Sequence, residues 1–282
     1  MDPLNTKFSE SLCADDGKVC TADVSDLIAK AFKITNVTKP EDVIKEAAKK
    51  LKCDDELCVV EHLPAEHSRA IIQTKFKPRG PRLTTNLLSN VHIDKVLDTW
   101  TRKYKKFYHV EFQMIDFAEM KTELATLDIS RLIRQYNNIG VVINSDETSG
   151  RGKHWFCIFC DLKAEPITIE YFNSSGREPY PQIKAWMLMT KELLEDRQIK
   201  SEPVVVSRIQ HQQSDTECGM YALYYIWCRL EGIPHHKFDE RPIPDKLVTK
   251  FRKSVFIPDN EEQKSKCSLV PDIHKLADLL TC

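Results

Sequence analysis

Apolar residues recur along this chain with two periods, and a change of period predicts a change of structure. Over the first 83 residues the spacing is helical. Thr21-Ala-Asp-Val-Ser-Asp-Leu-Ile-Ala-Lys-Ala-Phe puts Val24, Leu27, Ile28 and Ala31 on one face. Pro40-Glu-Asp-Val-Ile-Lys-Glu-Ala-Ala-Lys-Lys-Leu begins with a proline suited to a helix start and repeats the face at Val43, Ile44, Ala47 and Leu51. A third helix is predicted over 65–75. Lys77-Pro-Arg-Gly-Pro-Arg-Leu-Thr-Thr then stops the pattern with two prolines and a glycine, as a linker does. Beyond it, His92-Ile-Asp-Lys-Val-Leu-Asp-Thr-Trp-Thr-Arg-Lys-Tyr predicts a helix burying Ile93, Val96, Leu97 and Trp100. Residues 107–117 alternate at Val110, Phe112 and Met114 as a strand does, 128–136 read as helix, and Ile139-Gly-Val-Val-Ile-Asn as a short buried strand. Two further strands, 156–161 and 166–173, flank the turn Leu162-Lys-Ala-Glu.

The sharpest break in polarity lies later. The polar run Gln210-His-Gln-Gln-Ser-Asp-Thr-Glu leads directly through Cys218-Gly219 into Met-Tyr-Ala-Leu-Tyr-Tyr-Ile-Trp227, apolar nearly all round as a buried helix requires. Ser214 and Glu217 have the spacing of a capping box, and Gly232 followed by Pro234 supplies a stop. Cys218 is thereby predicted in the first turn of a buried helix, where unpaired N–H groups and the dipole favour a thiolate. On its own, a cysteine there fits equally a nucleophile and a small buried apolar residue.

Composition narrows the classes. A chain of 282 residues accommodates one good-sized domain and an appendage, and a net charge of −1 supplies no field to draw it to nucleic acid or a membrane. The opening residues hold no apolar core for a signal peptide, and no run reaches the length of a membrane span. Ten cysteines without a secretory signal predict reduced thiols rather than a disulfide framework. Cys13, Cys20, Cys53 and Cys58, with His62 and His67, are spaced unlike the usual short zinc loops, so structural thiols are expected and no metal site. Basic residues at 102, 103, 105 and 106 read as a solvated helix end rather than a nucleic-acid patch. Cys157 and Cys160, three apart in a strand, face opposite sides and cannot form a two-cysteine loop site.

Candidate chemistry appears where the glycine-rich turn Ser149-Gly-Arg-Gly-Lys ends in His154-Trp155. A hairpin centred between Lys163 and Ala164 makes 154 and 173 opposed positions, so His154 and Asn173 are predicted to touch. Asp161, seven residues along one strand from His154, lies roughly 23 Å away and cannot serve it. A cysteine nucleophile needs a base, and the base an orienting group. His154 can take the Cys218 proton, and Asn173 can hold the imidazole without adding charge. Gln212, six residues before Cys218, can turn its amide toward a developing oxyanion beside the Cys218 N–H. A solvated loop histidine and a strand-ending asparagine are ordinary readings singly; the joint arrangement carries the chemistry.

His154-Trp155, Asn173, Gln212 and Cys218-Gly219, in that order, resemble the ordered site of the adenoviral-protease and SUMO-protease family of cysteine peptidases. The segments Gly152-Lys-His-Trp, Ile169-Glu-Tyr-Phe-Asn-Ser174, Thr216-Glu-Cys-Gly219, Cys53-Asp-Asp-Glu-Leu-Cys58 and Gly80-Pro-Arg82 are similar to the branch of it found in African swine fever virus and related large DNA viruses. Asn173 stands where the wider superfamily has Asp or Glu. The resemblance implies an α+β papain-like core, a central mixed sheet flanked by helices, over 84–258, preceded by a helical arm over 1–83 and followed by a tail over 259–282. In that tail the charged run from Asn260 reads as a linker and 271–280 as a short helix. The resemblance further implies no cofactor, cleavage after Gly-Gly in viral structural polyproteins during virion maturation, a place in the host cytoplasm and the virion, and Trp155 as the wall of a channel admitting only glycine. Two other readings stand beside it: a deSUMOylase or deubiquitinase acting on ubiquitin-like conjugates through the same site, and a catalytically silent binding module.

Overall fold

The computed structural model describes residues 22–37, 39–53, 56–68, 71 and 77–258. The predicted tail helix, Cys13, Cys20 and most of the third predicted helix lie outside them; of that helix, 65–68 and 71 are described and helical.

The first two predicted helices form as α1 (Ala22–Phe32) and α2 (Pro40–Leu51), followed by an unpredicted short helix, α3 (Glu56–Glu61). Their apolar faces close on one another, burying Val24, Ile28, Val43, Ile44, Ala47, Leu57, Val59 and Val60 in a cluster of their own. Leu27 and Leu51 pack at its edge, whereas Ala31 is exposed, one turn past the closure. Between α2 and α3, Cys53 and Cys58 are joined in a disulfide, which corrects the expectation of free thiols there. Nothing local distinguishes a reduced from an oxidised pair five residues apart; the αL turn at Lys52 that ends α2 brings the two Cα atoms to 5.5 Å.

The linker is not a loose tether. Arg79–Gly80 forms β1, parallel to β8 (Ile257–Pro258) at the other end of the described chain, and the Phe256 ring lies so close to Gly80 that a Cβ there would meet it at 2.4 Å.

The rest builds around one mixed sheet. α4 (Asn90–Lys103), capped by Ser89, buries all four residues its period marks. The predicted strand over 107–117 divides into β2 (Phe107–His109) and β3 (Gln113–Met114), both parallel to β4 (Asn138–Asn144). Between them the Phe112 N–H leaves the ladder to donate to Asp94 on α4. α5 (Glu123–Thr126) and α6 (Ile129–Leu132) follow, the latter shorter than predicted. β5 (Trp155–Asp161) and β6 (Ile167–Phe172) run antiparallel beside β4, and β7 (Ser201–Val206) joins parallel to β6. The order is β2-β4-β5-β6-β7, with β3 beside β4. α7 (Pro181–Glu195), β7 and α9 (Asp245–Val255) are not predicted, although Ile183, Trp186, Met187 and Leu194 of α7 and Val248, Phe251 and Val255 of α9 recur at helical spacing.

Helices cover both faces, which is why the central strands read as nearly continuous apolar runs. On one face α4, α9 and the buried α8 (Cys218–Leu230) meet Val142, Cys157, Phe159 and Phe172. On the other, α5, α6 and α7 meet Val141, Ile143, Phe156, Ile158 and Cys160. Cys157 and Cys160 thus face opposite sides, as their spacing requires. Each large side chain so buried contributes roughly 1.5–3 kcal/mol.

One register prediction fails in an instructive way. Asp161 pairs with Thr168 and Cys157 with Phe172, so the hairpin is centred one residue later than expected and position 154 opposes 175, not 173. The connection from Leu162 to Pro166 is longer than a four-residue turn and contains a cis Glu165–Pro166 bond. A slip of two preserves which face each side chain takes. His154 and Asn173 therefore remain on one side, just beyond the ends of the paired strands.

Candidate active site

Cys218 is the first residue of α8 and is 3% exposed. The predicted capping box does not form. The helix begins only at Cys218, with Glu217 as its N-cap and no side-chain cap bond. The Glu217 carboxylate turns away to the fully buried Arg252 of α9, accepting from Nη2 at 2.6 Å and from Thr249 Oγ1. Tertiary charge pairing wins over the local cap, since a buried carboxylate and guanidinium left apart would each be far more costly. Asp245, at the start of α9, accepts from the N–H groups of Gln213 and Ser214 and from Tyr221 Oη, pinning the loop that delivers Cys218. Sequence reasoning missed Arg252 and Asp245: each lies about thirty residues from its partner, with no local pattern to mark it.

His154 and Asn173 meet as predicted, Nε2 to Oδ1 at 2.8 Å. The orientation of the asparagine amide is over-determined. Oδ1 also accepts from Ser175 N–H and Oγ–H, while Nδ2 donates to Tyr171 Oη. An oxygen facing Nε2 places the imidazole proton on that nitrogen and leaves Nδ1 with its lone pair. Burial holds the His154 pKa below the ordinary histidine value; the Asn173 hydrogen bond opposes this and the nearby Arg177 charge adds to it. Burial likewise raises the Cys218 thiol, and it outweighs the backbone N–H groups of Trp155, Gly219 and Cys218, which act in the direction expected of a helix start.

The turn before His154 is held as firmly. Asn144 Oδ1 accepts from the N–H groups of Asp146 and Lys153, and Asp146 accepts from Gly152 N–H and Lys153 Nζ. Gly152, at φ +90°, supplies the backbone shape that other residues resist.

Gln212, 8% exposed, accepts at Oε1 from Ser174 Oγ at 2.8 Å and donates from Nε2 to the Ser214 carbonyl. Trp155 packs over the other side of the helix start. Its indole N–H donates to Leu88 O, and Phe112 meets it edge-on. A Cβ on Gly219 would sit 3.3 Å from both Leu88 and Trp155, so glycine after the cysteine lets these walls close in. Leu87, Leu88, Phe112, Met114, Trp155 and Cys218 line a cleft of about 500 Å³ that reaches the sulfur. Asp161 is elsewhere, paired with Arg229 as its distance from His154 required. In the N-terminal cluster, donor atoms of Cys53, Cys58 and His62 lie within 4.8 Å of one another, but the disulfide occupies both sulfurs.

A half-buried histidine oriented by a fixed amide, and a cysteine opening a buried helix at the end of a cleft, are groups of the kind a thiol hydrolase uses. Residues 84–267 match the model of the Ulp1 protease family, C-terminal catalytic domain, and the chain belongs to that family of cysteine proteases. Over 229 residues, 73% of this chain and 84% of the relative, it is 36% identical to a cysteine protease of African swine fever virus. The corresponding protein of another isolate, matched to the same extent, is named a SUMO-1 cysteine protease. The crystal structure of the African swine fever virus protease matches this one with a TM-score of 0.66 at 29% identity, covering 90% of this chain and 98% of that one. The mixed sheet flanked by helices is the SUMO-protease-like core the motifs implied.

Proposed function

We propose that this cysteine protease cleaves after Gly-Gly in viral structural polyproteins, with Cys218 as nucleophile, His154 as base, Asn173 as its orienting group and Gln212 as oxyanion donor. The observation that carries the reading is the 2.8 Å contact of His154 Nε2 with an amide oxygen fixed by three other hydrogen bonds, which frees Nδ1 for the thiol. In the proposed reaction Nδ1 takes the Sγ proton as the sulfur attacks the glycyl carbonyl carbon. Negative charge gathers on the carbonyl oxygen, facing Gln212 Nε2–H and the Cys218 N–H. The imidazolium then protonates the leaving amine, and water, deprotonated by the same nitrogen, hydrolyses the thioester.

Specificity for glycine is supported by the closeness of Leu88 and Trp155 at Gly219, which leaves little width beside the sulfur for a side chain on the acyl component. A second reading, action on ubiquitin-like conjugates, is favoured by the name SUMO-1 cysteine protease carried by a 36% identical relative. The helices before residue 84 are proposed as an arm that contacts substrate, and the host cytoplasm and virion as the place of action.

The test is kcat/KM on matched Gly-Gly, Ala-Gly and Gly-Ala peptides beside a ubiquitin-like conjugate, for the parent, Cys218→Ser and Trp155→Ala. Cys218→Ser is expected to be silent, and Trp155→Ala slower on Gly-Gly but less selective. Equal parent rates on all three peptides remove the narrow channel, and turnover of the conjugate alone favours the second reading.

A further inference from the structure

A carboxamide has nearly the same shape either way round, so a glutamine that must present N–H to an oxyanion needs neighbours that distinguish oxygen from nitrogen. Flipped, Gln212 would aim lone pairs at the developing charge and repel it. The Ser214 carbonyl can only accept, so it fixes Nε2 on its side. The other end is held by Ser174, whose hydroxyl lies 2.8 Å from Oε1 and, facing an oxygen, must donate.

We infer that Ser174 is a positioning residue for the oxyanion donor, setting the aim and the acidity of the Gln212 amide. This rests on Gln212 having the oxyanion role proposed above. Ser174 is 1% exposed, in the turn directly after β6. Its carbonyl also accepts from the N–H groups of His211 (2.8 Å) and Gln212 (3.0 Å), so backbone and side chain together latch the Gln212 loop to the turn. A proton donated to Oε1 draws electron density from the amide and strengthens Nε2–H as a donor, as linked hydrogen bonds do. With one N–H engaged at Ser214, the second remains for the substrate. Asn173 and Ser174 are consecutive, yet one serves the base and the other the oxyanion donor. A single turn thus sets both halves of the machinery relative to each other, and Ser175 locks it by bonding back to Asn173.

The experiment is a double-mutant cycle on the full chain: parent, Ser174→Ala, Gln212→Ala and the double variant. It is read by kcat and KM on a Gly-Gly peptide and by the pH dependence of Cys218 alkylation with chloroacetamide. Gln212→Ala is expected to lose about a hundredfold in kcat, and Ser174→Ala about tenfold with KM little changed. The double variant should be no slower than Gln212→Ala, because Ser174 acts only through that amide. Alkylation, which develops no oxyanion, should follow one pH profile in all four. Ser174→Thr, which keeps the hydroxyl, should recover most of the rate. Ser174→Gly, a second removal of the hydroxyl, should repeat the alanine result should that protein not fold. Additive losses in the double variant, a displaced alkylation profile in Ser174→Ala, or parent-like kcat without the hydroxyl would overturn the inference and leave Gln212 standing. A parent-like Gln212→Ala would instead remove the oxyanion reading, and this inference with it.

Discussion

At the scale of single residues, the titration of His154 is set by opposing influences that can be separated. Burial lowers the His154 pKa most, Asn173 raises it by bonding Nε2–H, and Arg177 lowers it through charge. A lowered value keeps the imidazole neutral, and so basic, into mildly acidic solution. The acid limb of kcat/KM is accordingly expected below the ordinary histidine value of about 6.5. Arg177→Gln removes one lowering influence and should move the limb to higher pH. Asn173→Ala removes the raising one and should move it lower while slowing turnover. Profiles measured for the three proteins decide this: limbs that coincide would assign the titration to another group. Burial shifts Cys218 the opposite way, raising the thiol.

At the scale of elements, the loop from β7 to α8 is anchored by a buried histidine. His211 is 1% exposed among Phe172, Tyr221 and Phe238, and its Nδ1 accepts from Ile243 N–H. Burial pushes its pKa down to about 4. An unfolded chain takes up this proton near 6.5 and the folded chain only near 4, so stability is whole above 6.5 and is lost as pH falls through that window. The loss attributable to His211 is on the order of 3 kcal/mol at the low end. Urea unfolding followed from pH 7 to pH 4 should show this slope, and His211→Gln, which cannot titrate, should flatten it. A slope left intact by that substitution would place the acid loss in other groups. The same loop explains why Cys218 opens its helix without a local cap. Asp245 and Arg252, both on α9, supply the contacts that a capping box would have supplied from within.

At the scale of the whole molecule, the family match begins at residue 84, yet the core's contacts begin earlier. Arg252 bonds Glu217, beside Cys218, and through Nη1 the Pro81 carbonyl of the linker, while β1 pairs with β8 at the end of the described residues. A fragment starting at 77 keeps these contacts and one starting at 84 loses them. The longer fragment should unfold at higher urea, by roughly 1–3 kcal/mol for the buried guanidinium bond alone. Both are expected to accept a short Gly-Gly peptide, and the full chain to surpass both on a polyprotein, if the arm contacts substrate. Equal urea midpoints for the two fragments would reduce the linker to a tether.

The sequence by itself determined what short-range periodicity encodes. Helices α2 and α4 keep the faces their spacing marks and α1 does so but for Ala31, α8 is buried nearly all round and ends just before Gly232, and Cys157 and Cys160 fall on opposite sides. Even the His154–Asn173 contact was legible, because a two-residue slip in a hairpin preserves the parity of its faces. The tertiary structure alone decided the slip itself and the division of the 107–117 strand, where the Phe112 N–H turns to an aspartate on a neighbouring helix. The tertiary structure also decided the exchange of a capping box for the Glu217–Arg252 pair and the choice of Ser174 as the partner of Gln212. These outcomes depend on which distant groups arrive within about 3 Å of one another in a dry interior, where an unpaired charge or amide is costly. Chain topology fixes that, and no pattern along the sequence records it.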